Sequence, residues 1–346
     1  MIVKFDELKA VAKKAFLNIG LSEENAEICA HVHCSSSADG VESHGMNRIP
    51  RFAEYVKKGW ININAKCELV KAKGAAENYD GNLGIGVVNA LFCSDRAIAL
   101  AKEHGIGLVA LKNTTHWMRG GTYAWKMAES GFVGISWIST ESCMPMWGSD
   151  VPSVGNNPFC VAIPRDDGQI VVDMAMSQYA YGKLGVYRLA GKQLPYPGGF
   201  DKNGNLTTDP GAIEESLRVL PTGYWKGSSL AIALDLAAAA ISNGLVGSDM
   251  DGENYKGSCT GCSQIFIAID PYMFGSHDEI QEKLNRRVKT ADSAHPIDPA
   301  HPVKCPGEST LSRRKKSMSE GVQVDNKIWE QVKALAEGRE FAGHIE

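Results

Sequence analysis

The sequence predicts an α+β protein in which helix-rich ends flank a middle of interleaved short strands and helices. Three observations carry this. Near the start, Leu8, Val11, Ala12, Ala15, Phe16 and Ile19 recur at helical spacing and stop at Gly20. From about Cys67 the texture changes to short β-rich runs punctuated by Gly, Asn and Asp: ELVKAKG, GIGLVALKN, GFVGISWIST, PFCVAIP, QIVVDMA and SQIFIAID. After the proline-bearing stretch 295–306, a polar helix is expected around residues 309–319 and an amphipathic one around 327–336.

In chain order, Ser22 is placed to cap a second helix, with Glu23 and Glu24 at its positive end. Asn25 stands where a capping box would need Glu or Gln. A third helix is expected over 48–58, ending before Gly59, and further helices over 87–103 and 124–130. Residues 183–221 are rich in Gly, Pro, Asp and Asn with little periodicity, which predicts a long ordered arm. Residues 230–242 are the most apolar helix candidate, stopped by Asn243-Gly244.

The 346 residues suffice for two medium domains or one large one. A net charge of −4 without a long basic block argues against nucleic-acid binding. No run of about 18 apolar residues lacks charge, since Asp235 interrupts the best candidate, and MIVKFDELKAVAKK lacks a signal-peptide core. A soluble, cytoplasmic protein without membrane contact is therefore expected. Nine cysteines, an odd number, argue against a disulfide framework. The 36 glycines, about a tenth of the chain, are expected at turns, caps and close approaches to ligand.

Familiar motifs fail. Gly84-Ile85-Gly86 precedes a helix, but Asn89 holds the third glycine position and Glu103 lies in a helical pattern, so the Rossmann fingerprint is incomplete. GxxxxGK[ST], HExxH and GxSxG are absent. Cys259 and Cys262 have CxxC spacing without a second pair, which leaves a metal- or redox-binding protein as a remote alternative of a different class, and no metal is expected. Asp249-Met250-Asp251-Gly252 lacks the other ligands of a calcium loop. The basic run 313–316 reads as a solvated helix face, with a contact to a cofactor phosphate as the lesser alternative.

Four clusters could carry chemistry. Ser43-His44-Gly45 with Arg48 offers a group that titrates near neutral pH and a guanidinium fork for a carboxylate, which suits a small organic acid. A capping serine beside a surface histidine would give the same string. Asn113 through Gly121 follows an apolar strand, so His116 could join His44 as a second proton-handling or polarising group, or sit in an ordinary turn. Trp225 and Lys226 precede the apolar helix, where free N–H groups and a lysine suit a pyrophosphate, against a plain serine cap. Asp173 follows a strand and could face a nucleotide, although a plain strand end carrying a turn aspartate accounts for it better.

With these residues in view, Val41-Glu42-Ser43-His44-Gly45, Arg48 and Pro50-Arg51-Phe52 resemble the signature of the type-2 malate/lactate dehydrogenase family. The similarity continues in order through HWMRGG, MPMWG, GNNPFCVAIP, VVDMAMS, LAGKQLP, GFDKNGNLTTDPG, LPTGYWKGS and SQIFIAI. It implies a non-Rossmann fold with a helical subdomain over 1–72, joined by C-terminal helices over 280–346. A mixed β-sheet domain would cover 73–279, in an intertwined homodimer. It implies NAD as cofactor, with NADPH as the alternative to NADH, and a 2-oxo acid as substrate. Other 2-hydroxy or 2-oxo acids and a cyclic imino acid stay open. By the same resemblance His44 is the proton donor, His116 the second active-site histidine and Arg48 the carboxylate ligand. Thr140, where relatives often carry Ser, keeps a substrate-side hydroxyl. Cofactor contacts carry over to Ile170, Val171, Val172, Asp173, Met174 and Ala175, to Trp225 and Lys226, and to Pro306, Gly307 and Glu308. Asp201, on the arm, is a candidate for orienting a histidine.

Overall fold

The computed structural model describes residues 1–251 and 260–339, and in it the β-rich middle forms one seven-stranded mixed sheet. The strand order is Glu68–Lys73, Ala76–Asp80, Ile106–Thr115, Thr260–Ile269, Val133–Ile138, Phe159–Ile163 and Ile170–Met174. Neighbours run antiparallel except Ala76–Asp80, which pairs parallel with Ile106–Thr115. Both faces of the long strand Thr260–Ile269 are covered, so its burial is continuous rather than alternating, and its second half, Ile265–Ile269, is an unbroken apolar run. Phe266 and Ala268 face a core with helices Gly86–His104 and Gly121–Glu129. Ile265, one residue away and on the opposite face, meets Ala231, Leu234 and Ala238 of helix Trp225–Ser242.

The N-terminal helices Phe5–Ile19, Glu23–Ala38 and Ile49–Lys57 share a core with Asn326–Ala336 from the far end of the chain. Gly20 closes the first helix in the left-handed region at φ 109°, and Ser22 Oγ accepts from the Asn25 N–H at 3.2 Å. The segment 280–346 divides. Helix His277–Asp292 is tied to the sheet, where Arg165 donates to Asn285 and Gln281 donates to the Pro164 carbonyl. Helix Asn326–Ala336 packs on Phe5–Ile19 through Trp329 and Val332.

Two expectations are adjusted. The third helix begins at Ile49, because two 3₁₀ turns, Glu42–His44 and Met46–Arg48, occupy the preceding chain. The arm contains helix Tyr181–Leu189, the hairpin Gly199–Phe200 with Leu206–Thr207, and helix Pro210–Ser216 capped by Asp209. The two-residue strands are too short to show a period, and the helices bury only Leu184 in the first and Pro210 and Ile213 in the second, so no apolar stripe marks them. Among the described residues no helix is long and apolar enough to cross a membrane.

Candidate active site

The turn carrying His44 is pressed against helix Glu23–Ala38. A Cβ on Gly45 would stand 2.1 Å from Ser37 Oγ and 3.0 Å from the His33 carbonyl oxygen, so only glycine permits this approach. The Met46 N–H donates to Ser37 Oγ at 2.9 Å, and Arg48 Nε donates to the Ser43 carbonyl at 2.9 Å. The turn is thereby held from both ends. Ser43 Oγ lies 2.9 Å from His44 Nδ1. A hydroxyl both donates and accepts, so this partner serves the neutral and the protonated ring alike.

His116 arrives from the end of strand Ile106–Thr115. Met118 takes the left-handed region at φ 64° and donates its N–H to His116 Nδ1 at 2.8 Å. An accepting Nδ1 places the proton of the neutral ring on Nε2. The two imidazoles stack with centroids 5.5 Å apart and planes inclined by 21°. They line a cleft of about 580 Å³, open to solvent, whose walls also include Arg48, Thr140, Asp173, Tyr181 and Lys183. Helix Tyr181–Leu189 thus brings the arm to the mouth of the site.

Electrostatics departs from the expectation of a histidine titrating near working pH. Removal from water, then the Arg48 and Arg119 cations and His33, push His44 down to about 3. Burial, Arg48 and His44 push His116 well below the ordinary histidine range. Both shifts favour the neutral ring in the free chain.

The residues expected on the cofactor side gather along the edge strand Ile170–Met174. The Val171 N–H donates to the Pro306 carbonyl at 3.1 Å. A Cβ on Gly307, at φ 100°, would meet the Gln169 oxygen at 2.9 Å and the Val171 nitrogen at 3.2 Å. Glu308 Oε2 turns back to accept from the Cys305 N–H at 3.2 Å. Val172 is half-buried, Met174 is exposed, and Asp173 and Ala175 line the cleft. Past them, Met176 accepts from the Thr222 N–H at 2.8 Å, next to helix Trp225–Ser242. Trp225 and Lys226 stand exposed at that helix start, and the N-cap residue Tyr224 makes no side-chain capping bond there. Ser228 is not the cap, because its hydroxyl donates to the Trp225 carbonyl and accepts from the Trp147 N–H.

Thr140 also lines the cleft, with its hydroxyl donating to Asn157 Oδ1 at 3.1 Å. Asp201 requires correction. Its carboxylate accepts from the N–H groups of Asn203 and Asn205, both at 2.9 Å, and organises the hairpin turn of the arm. Its hydrogen bonds include neither histidine, because the hairpin consumes its acceptors locally. Cys262 is buried in strand Thr260–Ile269, and Cys259 lies outside the described residues.

Sequence reasoning missed Asp39 and Arg314, and it quoted Arg119 without a role. Arg119, 6% exposed, pairs with the buried Asp39 and reaches Asp173 at 3.4 Å. Arg314 stacks on Trp125 and bonds Asp39, so the basic run 313–316 is not a fully solvated face. No local pattern links positions so far apart.

A sequence model of the malate/L-lactate dehydrogenase family matches residues 3–333. The chain belongs to that family. The 2,3-diketo-L-gulonate reductases of Shigella boydii serotype 4 and Escherichia coli K12 are 41% identical to it over 335 residues, covering 97% of this chain and all of theirs. Sulfolactate dehydrogenase from Methanocaldococcus jannaschii superposes with a TM-score of 0.88 at 29% identity, over 98% of both chains. A putative malate/lactate dehydrogenase from E. coli gives 0.89 at 27%, covering 97% of this chain and 95% of that one. As a malate/L-lactate dehydrogenase family member, the protein is an oxidoreductase of 2-hydroxy and 2-oxo acids that uses a nicotinamide cofactor.

Proposed function

We propose that the protein reduces 2,3-diketo-L-gulonate at its C2 carbonyl to 3-dehydro-L-gulonate, with NADH as donor and NADPH as the alternative. The observation that carries this reading is the stacked His44–His116 pair beside Arg48, in one cleft with the edge strand Ile170–Met174. The choice of substrate rests on the name shared by the 41% identical relatives.

The residues fit a dinucleotide without a glycine fingerprint. Gly307 and Gly227 let the chain pack closely on itself at the ends of the proposed site, the latter against the Thr222 and Met176 carbonyl oxygens. The uncapped start of an 18-residue helix beside Lys226 suits a pyrophosphate. Residues 170–175 would line the nicotinamide half, and 306–308 would close its edge. When bound, the nicotinamide supplies the hydride to the carbonyl carbon.

Arg48 holds the C1 carboxylate and so fixes the neighbouring carbonyl. His116 offers its Nε2–H to the carbonyl oxygen, where charge develops. His44 delivers the proton to that oxygen and is neutral afterwards. Because the free chain favours a neutral His44, the proton is taken up with the substrate: its carboxylate offsets Arg48, one of the charges that depress the ring.

We read the chain as two units, with residues 1–72 and the final helix forming the helical one, and as a homodimer in the cytoplasm. The exposed apolar side chains Leu230, Leu236 and Ile241 on helix Trp225–Ser242 support self-association. Eight free thiols among the described residues suit a reducing compartment. The test follows absorbance of NADH and NADPH separately while 2,3-diketo-L-gulonate, pyruvate, oxaloacetate and a cyclic imino acid are offered in turn. Highest kcat/KM with the diketo acid is expected; preference for another acid by about tenfold or more overturns the substrate assignment.

A further inference from the structure

Asp39 ends helix Glu23–Ala38 just before the histidine turn, with its side chain 2% exposed. Two guanidinium groups converge on it. Arg119 donates from Nη1, and Arg314 donates as a fork, Nε to Oδ1 at 2.7 Å and Nη2 to Oδ2 at 2.8 Å. Arg119 continues to Asp173 on the cofactor-side strand, where Cys160 Sγ–H also donates at 3.2 Å. Arg314 is braced by the Trp125 ring, 4.7 Å from its centroid, and by Glu129 at 3.5 Å. Gly40, at φ 80°, leaves room for the neighbouring Arg313, whose Cδ would stand 2.2 Å from a Cβ there. The helix bearing both arginines, Glu308–Glu320, starts at Gly307, the residue packed on Val171.

One buried carboxylate therefore joins the segment before His44, the loop after His116, the strand Ile170–Met174 and the helix after residues 306–308. An apolar cluster would hold such segments together at least as well, since buried ion pairs are weak sources of stability. What the fork adds is direction: a bidentate contact fixes orientation as well as distance.

We propose that Asp39 is a positioning residue, clasping Arg119 to Arg314 so that the histidine pair and the cofactor-side strand keep one fixed spacing. This rests on the reductase reading of the same cleft. A spacing error of about an ångström between donor and acceptor carbons can cost up to about a hundredfold in rate without comparable loss of substrate binding.

The test compares wild type with Asp39→Asn, Arg314→Leu, Arg314→Lys and the double variant Asp39→Asn/Arg314→Leu. It reads kcat, both KM values, NADH affinity by quenching of tryptophan fluorescence, and Tm. Asp39→Asn is expected to lower kcat about tenfold to a hundredfold, with the oxo-acid KM within about threefold. NADH affinity should weaken, Arg314→Lys should retain more kcat than Arg314→Leu, and the double variant should be no slower than Asp39→Asn alone. A folded Asp39→Asn with kcat within about twofold of wild type, or single effects that simply multiply in the double variant, overturns the proposal. Should Asp39→Asn not fold, the two Arg314 variants decide, and equal kcat in both and in wild type is the overturning result. Wild type inactive on every acid overturns the reductase reading instead. In that case the NADH titration still tests the clasp, which falls if all variants bind equally.

Discussion

His44 and His116 stand in a setting that favours the neutral form of both rings, so the proposed mechanism has His44 take up its proton with the substrate. Formation of the ternary complex is expected to take up close to one proton per site near pH 7, measured as a buffer-dependent enthalpy in calorimetry. Zero uptake would mean that His44 is already charged or never becomes so. His44→Ala should lower kcat about 10²-fold to 10⁴-fold with NADH affinity kept, as expected for a general acid. Arg48→Lys should raise the oxo-acid KM more than it lowers kcat, because an ammonium cannot reproduce the fork. His33 adds a stability effect. Fully buried, donating from Nδ1 to the Cys29 carbonyl at 2.6 Å and with no partner at Nε2 among the described residues, it is pushed down to about 4. Its folded value lies below its unfolded one, so its contribution is present above about pH 6.5 and lost as pH falls toward 4. The loss comes to about 3 kcal/mol over that window, at about 1.4 kcal/mol per pH unit. Urea unfolding at pH 7.5 and pH 5 should show about 2 kcal/mol of it, and His33→Gln should reduce the difference by about that amount, with His44 and His116, which are depressed in the same direction, supplying the rest.

Elements differ in how plainly the sequence announces them. Gly20 and Ser22 mark a helix stop and a cap by chemistry that acts within four residues, and both sit as those rules require. The 3₁₀ turns bearing His44 and Arg48 are different. Their shape is imposed by Ser37, eight residues before Gly45, and Gly45 looks like any other glycine until that contact is seen. Gly45→Ala is therefore expected to push the turn off helix Glu23–Ala38 and to lower kcat by about tenfold or more while most of the fold survives. Unchanged kinetics in that variant would show that the turn has slack. The arm was legible as ordered chain and as a site neighbour, but its short helices and hairpin were not, because two-residue strands carry no period. Asp201 shows the cost of placing a residue by segment alone: its own turn claims the carboxylate.

For the whole molecule, helix Trp225–Ser242 poses the remaining question, since it is apolar on its inner and outer sides alike. Ala231, Leu234 and Ala238 pack on the sheet, while Leu230, Leu236 and Ile241 remain 43%, 55% and 40% exposed. A Leu236→Glu variant should sediment as a smaller species than wild type, and an unchanged dimer or an already monomeric wild type would remove this helix from the interface. The sequence by itself determined a mixed helix-and-sheet architecture, the principal helix stops, the Ser43-His44-Gly45 and Arg48 grouping and, through its motifs, the family. These follow from local chemistry or from strings read in order. Only the tertiary structure decided that His44 stacks on His116, that burial and nearby cations push both rings toward the neutral form, and that Asp39 meets Arg119 and Arg314. Desolvation and long-range ion pairing depend on which distant segments are brought together, and the sheet and the shared terminal helices set that in three dimensions.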